Sequence, residues 1–165
     1  MAVDFRDMQS VLNDALDFRF MHYDDLGEVI DVEKEAYTHP WTLGIFRDCL
    51  RVGYKCWVVE YDKKIIGYGI VMMAASESHI LNLCIHPDYQ ASGYGRALLY
   101  FLIERSKIAG ADMVLLEVRE SNKTAIGLYQ SSGFHELGVR RDYYPADDGR
   151  ENAIILAKYL DAFKD

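Results

Sequence analysis

Apolar residues recur along the chain at two spacings, and the switches between them lay out the secondary structure. Leu26, Val29, Ile30, Glu33 and Tyr37 follow helical spacing behind Asp24 and Asp25, either of which can serve as an N-cap. That helix ends at His39-Pro40, because the residue before a proline is pushed out of the α region. Thr42 can cap a second helix carrying Ile45, Phe46, Cys49 and Leu50, which Gly53 stops. Ahead of both, residues 18–21 read as a short strand. Residues 56–61 and 65–73 are strand-like runs joined by a turn at Asp62-Lys63-Lys64, and residues 79–85 form another run that ends at His86-Pro87. A loop over residues 90–95 leads into a helix over 96–109, with Leu98, Leu99, Leu102 and Ile103 as its apolar stripe and Gly110 at C′. Residues 112–119 predict a strand, 122–132 a helix ended by Gly133, and 134–144 and 152–160 two last strands. This order predicts a mixed α/β (α+β) fold whose central sheet combines hairpins with crossovers.

No repeat, low-complexity tract or linker divides the pattern, so the 165 residues predict one domain, with residues 1–15 a loosely attached extension. A chain of this length buries enough surface to fold without metal or disulfide. Its longest apolar stretches, such as residues 70–75, fall far short of the ~20 residues that cross a bilayer. Asp4 and Asp7 stand where a secretory signal would be apolar, which predicts a cytoplasmic protein with no membrane partner. The 18 basic and 26 acidic side chains leave a net charge of −8. Such a surface repels a phosphate backbone, argues against general nucleic-acid binding and favours a cationic partner such as a basic polypeptide, while leaving room for a local basic pocket that takes an anionic cofactor. Three cysteines without a C-x-x-C and five scattered histidines give no zinc spacing, and no metal is expected.

Three features can carry chemistry. The segment Gln90-Ala91-Ser92-Gly93-Tyr94-Gly95-Arg96 lies between a strand and a helix. Its glycines permit torsions that other residues resist and let the main chain approach a ligand. Successive amides with the positive end of the next helix and the Arg96 cation suit a pyrophosphate, although a tight backbone turn explains the glycines equally well. Glu117 interrupts an apolar run, where a carboxylate is costly unless paired or solvated. It is either a functional acid or base, or the partner of a lysine or arginine on a wetted sheet face. Asn122 or Ser121 is a natural helix N-cap, and Tyr129, seven residues on from Asn122, lies two turns along the same face, where it can share a cleft with Asn122 or simply be packed.

The block from Leu81 to Leu156 resembles the GNAT acetyltransferases and, among them, the RimI group, which acetylates the N-terminal alanine of a small-subunit ribosomal protein. The Q-x-x-G-x-G of Gln90 to Gly95, preceded by Leu83-Cys84-Ile85-His86-Pro87, carries the broader likeness. The narrower one rests on Leu116-Glu117-Val118-Arg119-Glu120-Ser121-Asn122, on Ala125-Ile126-Gly127-Leu128-Tyr129, and on Arg140-Arg141-Asp142-Tyr143-Tyr144-Pro145. His86 stands where an acidic residue is the family habit, and the N-terminal third matches weakly apart from His39-Pro40-Trp41-Thr42. The resemblance implies a GNAT fold, a central, largely antiparallel mixed sheet flanked by helices, with acetyl-CoA as cosubstrate. It implies that the main chain of Leu83, Cys84 and Ile85 holds the pantetheine, that Ala91, Ser92, Gly93, Tyr94, Gly95 and Arg96 cradle the pyrophosphate, and that Asn122 binds the CoA arm. Glu117 is similar to the family's general base and Tyr129 to its general acid.

A carboxylate of ordinary basicity is too weak to strip an ammonium directly, so Glu117 is expected to act through ordered water. Tyr129 would protonate the leaving thiolate. No histidine is evidently paired with Cys84, so direct transfer is expected over an acyl-cysteine. Tyr143, Tyr144, Asp148 and Glu151 could receive a basic peptide terminus, or simply be solvated. Two rivals remain open at this level: acetylation of a small cationic amine, and a non-catalytic CoA-binding module.

Overall fold

A computed structural model of the chain describes residues 15–161. The reading of the N-terminus as a loose extension therefore lies, but for Ala15, outside the described residues. Seven strands, β1 (Leu16–Phe20), β2 (Lys55–Tyr61), β3 (Lys64–Ala74), β4 (Glu77–Ile85), β5 (Met113–Arg119), β6 (His135–Ala146) and β7 (Gly149–Tyr159), form one sheet in the order β1-β2-β3-β4-β5-β7-β6. The described helices are α1 (Leu26–Ala36), α2 (Leu43–Arg51), α3 (Tyr94–Ile108) and α4 (Lys123–Ser131). The β1–β2, β2–β3, β5–β7 and β6–β7 pairs are antiparallel, whereas β4 and β5 are parallel. A parallel pair needs a crossover, and α3 supplies it. The mixed, mainly antiparallel sheet with helices is the predicted fold.

By their internal packing the described residues divide into two compact units, one running up to Val71 and taking in Asn82–Leu102, the other of Met72–Leu81 with the residues from Ile103 onward. In the first, Asp62 and Lys63 take left-handed torsions (φ 49° and 62°) at the β2–β3 turn, the geometry whose twist matches a two-residue hairpin. Val58, Val59, Ile66, Tyr68 and Ile70 of β2 and β3 are fully buried, as are Leu98, Leu99 and Leu102 of α3. A Cβ at Gly67 would lie 2.5 Å from the Cys84 carbonyl oxygen, and one at Gly69 would lie 2.7 Å from Leu102. Only glycine allows β3 to come this close to β4 and α3.

Thr42 caps α2 as predicted, its hydroxyl accepting from the Ile45 amide at 3.3 Å. Asp25 does not cap α1 with its side chain. Its carboxylate instead accepts from the Arg19 guanidinium (2.8 and 2.9 Å) and from the His22 amide at 2.7 Å. α1 stops at Ala36, before the proline, with the Tyr37 amide donating to Glu33 O at 3.0 Å.

In the second unit β5 alternates, with Val114, Leu116 and Val118 buried and Met113, Leu115, Glu117 and Arg119 on a half-buried face. Ala153, Leu156 and Ala157 of β7 complete its core. Ser78 and Ser106 satisfy each other through a buried 2.6 Å hydroxyl pair. Gly133 ends α4 with φ 92°, and a Cβ there would also lie 2.5 Å from Lys158 Nζ, which donates to Ser132 O at 2.9 Å. The last hairpin is tighter than the sequence suggests. β7 begins at Gly149, whose φ of 114° makes the turn, rather than at Asn152.

Candidate active site

The first unit holds the candidate anion loop. Within residues 90–96 the left-handed torsions fall at Ala91 (φ 61°) and Gly93 (φ 85°), while Gly95 is already inside α3. The expectation of two torsionally special glycines is thus corrected: Gly93 is one, and its companion is an alanine. Torsions of this kind can turn neighbouring amides towards one point, a geometry chemically suited to an anion. α3 continues it, its first intrahelical bond running from the Ala97 amide to Gly93 O (3.0 Å), so the first-turn amides point out of the helix end. Gln90 closes the loop by donating from Nε2 to Ile85 O at 2.9 Å. His86 has a structural task, as its Nδ1 accepts from the Asp88 amide (3.1 Å) and caps the 3-10 turn Pro87–Tyr89.

Just before this loop, the β4–β5 ladder extends only from Glu77 to Ile80. Leu83, Cys84 and Ile85 run beyond it, and the Tyr37 hydroxyl donates to Leu83 O at 3.2 Å. Glu33 of α1 is buried. It accepts from the Trp41 amide (2.9 Å), from Asn82 Nδ2 (3.2 Å) and from the Tyr68 hydroxyl, joining α1, the following loop, β3 and β4. Burial raises its carboxyl above the usual range even against the Trp41 and Asn82 bonds. Burial, with the neighbouring Glu33 charge, also pushes the Cys84 thiol up to about 12. A thiol held protonated is no nucleophile.

The second unit holds Glu117 and Tyr129, the candidate acid–base residues. Glu117 is not bare: Arg140 Nε donates to its Oε1 at 3.0 Å. Burial first, and the Glu117 carboxylate next, raise the Tyr143 phenol above its ordinary value. Tyr144 is raised likewise, by burial and then by Glu117, with smaller contributions from Tyr143 and Tyr129. Arg119, two residues along from Glu117, donates to Glu151 (2.9 Å) and to Pro145 O (2.6 Å) and stacks 4.6 Å from the Tyr144 ring. Burial works against ionising Glu151, but Arg119 and the Ser121 amide (3.2 Å) outweigh it and hold the carboxyl below its usual range. Asn122 caps α4, Oδ1 accepting from the Ala125 amide at 3.2 Å. Tyr129 is buried on α4 against Phe134, ring centroids 5.8 Å apart.

The sequence profile of the Acetyltransferase (GNAT) family matches residues 17–134. The chain belongs to this family. It is 39% identical over 133 residues to the [Ribosomal protein bS18]-alanine N-acetyltransferase of Escherichia coli K12, which covers 81% of this chain and 90% of that protein. The enzyme of the same name from Haemophilus ducreyi is 37% identical over 139 residues, 82% of this chain and 94% of its own length. In structure the chain is similar to the ribosomal-protein-S18-alanine N-acetyltransferase from Escherichia coli, with a TM-score of 0.85 and 35% identity over 91% of this chain and 97% of that one.

In this acetyltransferase the structure gathers Glu117, Tyr143 and Tyr144 into one cluster and brings Tyr129 within electrostatic reach of Tyr144. Leu83, Cys84 and Ile85 end β4, and residues 91–96 follow the 3-10 turn Pro87–Tyr89 in the same first unit. Asp148 stands exposed in the turn between β6 and β7. Sequence reasoning missed Arg119 and Arg140 as partners of Glu151 and Glu117, and Glu33 as a buried carboxylate. The helical spacing of Glu33 with Val29 was the one available signal, since it puts an acid on the apolar face. Among the described residues no group of three His, Cys, Asp or Glu side chains is placed to hold a metal ion.

Proposed function

We propose that the chain transfers the acetyl group of acetyl-CoA directly to the α-amino group of an N-terminal alanine, on the ribosomal protein bS18 named for its relatives. The observation that carries this reading is the 39% identity running through 90% of the Escherichia coli enzyme. The main chain of Leu83, Cys84 and Ile85 pairs with the pantetheine. Ala91, Ser92, Gly93, Tyr94, Gly95 and Arg96 receive the diphosphate, for which their left-handed torsions and helix terminus are chemically suited. Asn122 contacts the CoA arm through its amide nitrogen, its Oδ1 serving the helix cap.

Glu117 accepts a proton from the amine through water, the amine attacks the thioester carbonyl, and Tyr129 delivers a proton to the departing thiolate. Holding amine and thioester together supplies much of the rate. The elevated Cys84 thiol supports direct transfer over an acyl-enzyme. Tyr143 and Tyr144 receive the peptide terminus. The charge of −8 suits a basic polypeptide and a cytoplasmic enzyme working without nucleic-acid or membrane contact. No described helix is long and apolar enough to cross a membrane.

Purified protein with acetyl-CoA is tested against Ala-starting basic peptides, internal-lysine peptides and small polyamines, following CoA release. Turnover on the Ala-starting peptides is expected. Turnover restricted to polyamines contradicts the substrate, and acetyl-CoA binding without turnover contradicts catalysis.

A further inference from the structure

One face of the second unit's sheet carries two carboxylates and two guanidiniums in two unlike pairs. Glu117 of β5 lies opposite Ile155 of β7, and Arg119 opposite Ala153, which in turn lies opposite Arg140 of β6. The Arg119–Glu151 pair is locked. Both side chains are largely buried, at 23% and 22% exposure, and Arg119 is further held by the Pro145 carbonyl and the Tyr144 ring. The Arg140–Glu117 pair is lopsided, with the carboxylate at 13% exposure and the guanidinium at 54%.

We propose that Arg140 is a stand-in for the substrate's ammonium. It neutralises Glu117 in the free protein, is displaced when a protonated amine binds, and returns once the amine has become an uncharged amide. The inference rests on the proposed role of Glu117 facing the amine, and it names how that same site selects charge and sheds product.

Three observations support it. A nearly buried carboxylate left without a counter-ion is costly, so the empty site needs a cation and a cationic substrate brings its own. The Arg140 side chain is more than half in water, so releasing it from Glu117 costs little, and the Tyr143 ring, 5.6 Å from the guanidinium in the paired position, is a neighbour it can keep. The strand beside it is also irregular. The β6–β7 register shifts between Arg140 and Tyr144, and Asp142 takes a left-handed torsion (φ 50°) with its amide donating to Asn152 Oδ1 at 3.1 Å. Arg119, tied by three partners, cannot take over the vacated or refilled position.

The test measures binding to the protein saturated with CoA, which allows no transfer, using an Ala-starting basic peptide and the same peptide N-acetylated. Wild type, R140Q, R140K and R140Q in an E117Q background are compared by calorimetry, with turnover and melting temperature recorded for each. R140Q is expected to raise the preference for the free-amine peptide roughly three- to five-fold, the size of a partly exposed ion pair. R140K should keep the wild-type preference, and in E117Q the R140Q effect should vanish. If R140Q fails to fold, R140M, which keeps the apolar stem, carries the comparison. Weaker free-amine binding in R140Q, equal tightening of both peptides, or an effect that persists without Glu117 would overturn the inference. A wild type that binds the peptide but does not acetylate it defeats the proposed function instead.

Discussion

Glu117 sits on the half-buried face of β5, two residues from Arg119, and is the proposed general base. Replacing it with glutamine keeps the shape and removes the base. Glu117→Gln is expected to lower kcat about 100-fold, and Tyr129→Phe similarly, with acetyl-CoA affinity little changed in both. Steady-state kinetics beside calorimetric binding of the cofactor separates the two quantities; wild-type turnover in either variant removes that residue from the reaction. Cys84 makes the opposite prediction. Its thiol, raised to about 12 by burial and by Glu33, has no thiolate to offer at neutral pH. Cys84→Ser should therefore retain turnover, and mass spectrometry of the working wild-type enzyme should find no acetylated cysteine.

At the scale of elements, β3, β4 and the anion loop form one mechanical piece. Gly67 lets β3 approach the Cys84 carbonyl, and the His86 amide donates to Ile66 O at 2.7 Å just where β4 ends and the loop begins. Gly67→Ala must move backbone rather than a flexible side chain. It should cost about 1–3 kcal/mol in denaturant unfolding and weaken acetyl-CoA binding with it. An alanine variant of unchanged stability would mean that the close approach is not needed. The elements were legible because apolar period and punctuation agreed: Thr42 and Asn122 cap, and Gly53, Gly110 and Gly133 terminate with left-handed torsions. What stayed illegible was non-local or conformational. Nothing in the sequence marks Ala91 as left-handed, and the partners Glu117–Arg140 and Arg119–Glu151 meet only once β7 has inserted between β5 and β6.

Across the whole molecule, buried carboxyls of opposite tendency shape stability against pH. The Arg19 guanidinium, against a burial penalty, holds Asp25 below the usual carboxylate range, so its contribution is present above the unfolded value and lost as pH falls. Glu33 is raised by burial, so the folded state holds its proton more tightly than the unfolded chain does. Its contribution is therefore full below the ordinary carboxylate value and declines as pH climbs through the higher folded value. Glu33→Gln should flatten that decline: plotted against pH, the melting temperature of the variant should gain on wild type from about pH 4.5 upward. Parallel curves for the two proteins would show that Glu33 does not titrate differently on folding.

The central claim concerns which nitrogen receives the acetyl group. Incubating the protein with acetyl-CoA and a basic peptide that has both an N-terminal alanine and an internal lysine, then sequencing the product by tandem mass spectrometry, reads this directly. The account predicts the acetyl group on the alanine α-nitrogen. An acetyl group on the lysine side chain alone, or an unmodified peptide, would contradict it.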